Sequence, residues 1–173
     1  MKELNRREFL TLTGAAVVAL SLAGCGGPSA PPAAPTGKEA KVLEAINKYR
    51  GALPALTPDS GLDPAMKLVV EIAKGERKYI ESAGALNAAA ADYEGVWKPI
   101  GIRMDNDSTH ATPVCVYSDN AEDMALSLNN LLDEGDKAKL SSPAIKLVNI
   151  QTFEHNDTTY WVALIAEGKK VTP

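Results

Sequence analysis

The sequence predicts an α+β domain with an antiparallel sheet, and three observations carry that expectation. Apolar residues recur at helical spacing through the first half of residues 38–173. Two extended runs flank His155-Asn156-Asp157 near the C-terminus, the strongest hairpin signal in the chain. The resulting order, helices then strands, a helix and a closing hairpin, favours segregated layers over a doubly wound parallel sheet.

Val42, Ile46 and Tyr49, widened by Leu43 and Ala45, make the apolar stripe of a first helix over 38–50, which Gly51 and Pro54 stop. Asp63 as N-cap and Pro64 at the first helical position start a second helix, with Met66, Leu68, Val69, Ile72 and Ala73 as its apolar residues. It is expected to reach about Ser82, with a kink or break at Gly75, where glycine costs about 1 kcal/mol relative to alanine. Residues 86–93 are alanine-rich and predicted helical. Residues 96–104 and 113–117 are richer in β-branched side chains, are separated by Asp105-Asn106-Asp107-Ser108, and are predicted strands. Asp119 and Glu122 form a capping-box pattern ahead of Met124, Leu128, Leu131 and Leu132, predicting a helix to about Asp133. The hairpin strands are placed at 145–153 and 158–166.

Composition narrows the partners. With 18 Lys and Arg against 22 Asp and Glu, the net charge of -4 offers no excess to hold a phosphate backbone, so nucleic acid is not an expected partner. Residues 38–173 suffice for one core that buries about two-thirds of the unfolded surface without disulfides. Cys115 lies in the apolar run Pro113-Val114-Cys115-Val116-Tyr117 and is expected to pack as a small hydrophobe.

The N-terminal segment reads as an address. Lys2, Arg6 and Arg7 precede an apolar stretch from about Leu10 to Ala23, the pattern of a signal peptide. At about 1.5 Å per helical residue the stretch spans roughly 21 Å, short of a hydrocarbon core of about 30 Å. Arg6 and Arg7 with Phe9 and Leu10 resemble the twin-arginine export signal; an ordinary secretion signal is the alternative. Leu22-Ala23-Gly24-Cys25 resembles the bacterial lipoprotein box. That likeness implies cleavage after residue 24 and lipidation of Cys25, with acyl chains as the membrane contact. Residues 26–37 read GGPSAPPAAPTG, a linker able to extend up to roughly 37 Å in polyproline geometry. The expected organisation is therefore a signal peptide at 1–24, a lipidated cysteine and linker at 25–37, and a globular domain at 38–173. The location implied is the bacterial cell envelope, on the periplasmic face of a membrane. Gly26 after the cysteine leaves the outer membrane open as a destination.

A family resemblance joins the two ends of the domain. Val42-Leu43 through Ile46-Asn47-Lys48-Tyr49-Arg50, then Leu56 and Leu62, resembles the opening Asn-x-x-Arg helix and loop of the CAP superfamily, also called SCP-like. Asp133-Glu134-Gly135-Asp136-Lys137, Val148-Asn149-Ile150 and Thr159-Tyr160-Trp161-Val162 are similar to its later stretches. The resemblance is faint from about residue 74 to 117. It implies an α-β-α sandwich with a central cleft, which in many members carries two His and two Glu. Here Asp136 stands where the later His is expected, and no His occurs between Cys25 and Thr109. The resemblance therefore implies a cleft without the metal set, and no cofactor or metal is expected.

The remaining acid-base candidates are weak by spacing. His110 and His155 form no i, i+4 chelate. Ser108-Thr109-His110 supplies a nucleophile and a base by type but names no orienting acid. Asp105, Asp107, Asp119 and Glu122 lack the Gly and distal Glu of an EF-hand and leave only weak calcium binding open. Glu71, Glu76 and Glu81 read as a solvated helix face. The expectation is a tethered binding module for a small apolar ligand or an envelope protein. The alternative is a hydrolase or metal-dependent enzyme built on His110, Asp136 and distant carboxylates.

Overall fold

A computed structural model of the protein describes residues 35–171. The export signal, Cys25 and most of the linker lie outside the described residues.

The centre of the domain is one antiparallel hairpin, β5 (Leu147–His155) with β6 (Thr158–Ala166), paired from Leu147↔Ala166 to His155↔Thr158. Asn156 and Asp157 join the strands with φ of 49° and 58°. Two consecutive positive φ angles make the type I′ turn whose twist matches the strands, and Asn and Asp tolerate it. β6 is buried on both sides, because its side chains alternate between two cores. Trp161, Ala163 and Ile165 face one cluster with Val42, Ala45 and Ile46 of helix α1 (Gly37–Arg50) and Met124 and Leu128 of helix α4 (Ala121–Leu131). Val162, Leu164 and Ala166 face the other, with Ala65, Met66 and Val69 of helix α2 (Asp63–Ala73). The result is an α-β-α sandwich in the α+β class.

Helix α1 ends where Gly51 takes a φ of 61°. Both polar members of its Asn-x-x-Arg stretch bind backbone. Asn47 Oδ1 accepts from Leu56 N at 2.9 Å. The buried guanidinium of Arg50 donates to the carbonyls of Leu140, Ser142, Pro54 and Ile145, and burial lowers its pKa. Arg50 thus sews the end of α1 to the loop that precedes β5.

The break at Gly75 is complete. Gly75 N donates to Ile72 O and Glu76 N to Glu71 O, both at 2.9 Å, with Gly75 at φ 75°, a Schellman close of α2. A separate helix α3 (Tyr79–Ala89) follows, so the single helix expected to Ser82 and the helix expected at 86–93 are replaced by two shorter ones. The cap of α4 is Asn120, whose side chain accepts from Glu122 N and Asp123 N, one residue beyond the expected Asp119. Asp119 instead accepts from the Tyr117 hydroxyl at 2.7 Å. α4 stops at Leu131, and Asp133 caps a further helix, α5 (Glu134–Leu140), that periodicity did not predict because seven residues hold too few turns.

The expected strands at 96–104 and 113–117 are divided. Their sheet-side parts cover the outer edge of β6 through the bridges Ile100↔Ala163 and Val116↔Tyr160. Between them β3 (Ile102–Met104) and β4 (Ala111–Pro113) form a small hairpin of their own. The chain turns away at Gly101, φ 96°, where a Cβ would lie 2.5 Å from Trp161 O. On the opposite edge, β1 (Thr57–Pro58) pairs in parallel with Leu147 and Val148, adding a two-residue parallel strand to an otherwise antiparallel sheet. Beyond the sheet, β2 (Tyr93–Glu94) pairs with β7 (Gly168–Lys169).

Candidate functional site

The start of α5, the end of α4 and the β3/β4 hairpin enclose a cavity of about 500 Å³. Ile102, Met104, Val114, Leu131 and Leu132 supply apolar lining; Lys98, Arg103, Ser108, Asn130, Asp133 and Asp136 supply polar groups. Its size is that of a small-molecule site.

Asp133 and Asp136 are placed by helix capping. Asp133 Oδ1 accepts from Asp136 N at 2.8 Å, satisfying a free amide of the first turn and fixing the spacing of the two carboxylates. Asp136 is buried, 6% exposed. One of its oxygens, Oδ1, accepts from Trp97 Nε1 at 3.1 Å and lies 3.3 Å from Lys98 Nζ. Lys98 also bonds Asp133 Oδ2 at 2.7 Å. Burial works against the Lys98 ammonium, but the Asp133 bond and the charge of Asp136 outweigh it and raise its pKa. The Lys98 bond in turn holds the Asp133 carboxyl below its ordinary range. The cluster is a set of fixed donors and acceptors, each already oriented by a neighbour.

His110 is elsewhere. It lies in the loop between β3 and β4, is not among the lining residues of the Asp136 cavity, and its side chain is 69% exposed. Its Nδ1 is 3.2 Å from Asp105 Oδ2. The Asp105 carboxylate also accepts from the backbone of Thr109 and His110 at 2.8 and 2.9 Å, so it organises the loop. His155 ends β5 and sits edge-on to Tyr160 with ring centroids 6.3 Å apart. Among the described residues no three His, Cys, Asp or Glu side chains converge to hold a metal ion. Cys115 is fully buried, and burial, with Asp136 adding to it, pushes its thiol up to about 12. A thiol so placed is protonated at neutral pH.

Sequence reasoning named Asp136 but missed Trp97, Lys98, Asp133 and Arg103. The Asp133-x-x-Asp136 spacing was a capping signal in plain view. Trp97 and Lys98 fall where the family resemblance is faint, and nothing local ties them to Asp136. A second buried cluster was also missed. Asp59 accepts from Gly61 N at 2.8 Å and the Tyr93 hydroxyl at 3.0 Å, and its Oδ2 lies 3.0 Å from Lys169 Nζ. It joins the start of α2 to the β2/β7 pair.

No protein-family model, curated protein or solved structure matches the chain.

Proposed function

We propose that this chain is an exported lipoprotein of the bacterial cell envelope, anchored through Cys25, whose domain is a degenerate CAP-like module that binds a small, largely apolar ligand in the Asp136 cavity. The observation that carries the binding reading is the engagement of Asp136 Oδ1 by both Trp97 and Lys98. A carboxylate fixed by an indole N–H and an ammonium is a preorganised acceptor, suited to orienting a ligand against the apolar wall. The enzyme alternative needs an imidazole beside that carboxylate, and His110 is bonded to Asp105 outside the cavity lining.

The anchor is supported by sequence alone: a basic start, an apolar run and a small-residue box ending in Cys25. Mass spectrometry of the protein from native membranes tests it, with a diacylglyceryl-modified N-terminal Cys25 as the expected product and an unmodified thiol as the refutation. Native mass spectrometry of the purified protein tests the module. A co-purifying small molecule that is lost on Leu132→Trp, which fills the cavity, supports binding; stoichiometric zinc lost on His110→Ala transfers the assignment to the enzyme.

A further inference from the structure

Behind Trp97 lies a second cavity, of about 480 Å³, whose lining has the opposite electrostatic character to the chain as a whole. Ala65, Leu86, Ala90, Val96, Trp97 and Leu164 supply its apolar lining. Among the described residues its only charged lining groups are Lys98 and Lys170, and no carboxylate lines it. This occurs in a protein with more acidic than basic side chains. Lys98 is neutralised by Asp133 and Asp136 on the side of the first cavity. Lys170 is not: exposed at the cavity mouth, its Nζ donates to Ala91 O at 2.6 Å, and the ion pairs among the described residues do not include it.

We propose that this cavity is a separate site for an amphipathic monoanion, its apolar body against Leu86, Trp97 and Leu164 and its anionic group on Lys170. An ammonium bonded only to a carbonyl retains two N–H donors and its full charge for a ligand. A charge-assisted bond from that position gives the headgroup its selectivity, while the wall favours any apolar body of suitable size. The site stands whether or not the Asp136 cavity has a ligand, because Lys170 lines only the second.

Trp97 supplies the readout. It is one of two tryptophans, and the other, Trp161, is 1% exposed in the core and does not line this cavity, so it serves as the reference. The full chain carrying Cys25→Ser, which leaves every described residue unchanged, is titrated with decanoate, decan-1-ol and decyltrimethylammonium while tryptophan emission is followed. Decanoate is expected to saturate the signal one-to-one and to bind about tenfold more tightly than either other probe. Lys170→Gln is expected to weaken decanoate by about the same tenfold and leave decanol unchanged. Arg103→Gln, confined to the first cavity, is expected to change neither, and separates failure at one cavity from failure at the other. Vesicles of phosphatidylglycerol and phosphatidylcholine identify the source: Lys170-dependent binding to the anionic vesicles alone makes the anion a lipid headgroup, and decanoate binding without it makes it a free carboxylate. Equal affinity for the three soluble probes, or decanoate binding untouched by Lys170→Gln, overturns the proposal.

Discussion

Trp97 Nε1 lies 3.1 Å from Asp136 Oδ1, so a hydrogen bond joins the wall of one cavity to a polar lining group of the other. Replacing Asp136 by Ala leaves that N–H without its acceptor in a half-buried site and leaves Lys98 with Asp133 alone. The expected cost is about 1–3 kcal/mol, and Asp136→Asn, which keeps an acceptor for Trp97, costs less. Urea unfolding gives the energies, and a shift in Trp97 emission in Asp136→Ala but not in Asp136→Asn identifies the lost bond as the cause.

Arg50 donates to four backbone carbonyls, those of Pro54 after α1, Leu140 at the end of α5, and Ser142 and Ile145 in the loop before β5. Lysine carries its charge at a point and cannot reach four acceptors in that fork. Arg50→Lys and Arg50→Met are therefore both expected to destabilise the fold by about 2–4 kcal/mol, with the conservative change giving little rescue. Thermal unfolding of the two variants checks this; a near-neutral Arg50→Lys would show that the carbonyls are satisfied otherwise.

Asp59 gives the protein a dependence on acid. Burial alone raises its pKa, but the bonds from Lys169, Gly61 and Tyr93 outweigh burial and lower it below the ordinary value. A carboxyl depressed by folding stabilises the native state above its unfolded pKa of about 3.9, and that contribution is lost as pH falls through the folded value. The stability gap between wild type and Asp59→Asn is therefore expected to be widest near neutral pH and to close on acidification below about pH 4. Denaturant titrations across that range provide the test, and a gap that does not change with pH refutes it.

The same substitution at two glycines has two expected costs. At Gly75, φ 75°, an added Cβ meets nothing within 4 Å, so Gly75→Ala costs only the left-handed backbone, about 1 kcal/mol. At Gly101 the Cβ would strike Trp161 O at 2.5 Å, backbone that cannot swing aside, and the cost rises to about 2–4 kcal/mol. Chemical denaturation of the pair measures the difference.

The fold was legible wherever a pattern is local and repeated. The stripe of Val42 and Ile46, the Pro64 start and the Asn156-Asp157 turn each carry a signal within a few residues, and the α+β class followed from them. The strand at 96–104 was misjudged because Gly101 meets Trp161, some sixty positions away, and only that encounter explains why the chain leaves the sheet edge. Helix α5 was too short to show a period. The candidate site was least legible: Asp136 could be named from its spacing, whereas Trp97, Lys98 and Lys170 acquire their meaning from neighbours distant in the chain. His110 and Asp136, considered together by residue type, stand in different surroundings.

The hairpin at the centre is covered along β6 and at the start of β5. Residues around Ile100 and Val116 shield the outer side of β6, and beyond β5 the strand β1 ends in Pro58, which has no N–H to offer outward. Polymerisation by strand addition needs an open ladder of donors: β6 spends its edge on backbone bonds with Trp97, Ile100, Cys115 and Tyr117, while on β5, beyond the two residues that β1 pairs, Thr152 N donates to Glu39 Oε1 at 3.1 Å. Copies of the protein packed densely together therefore find little along β6 on which to add a strand.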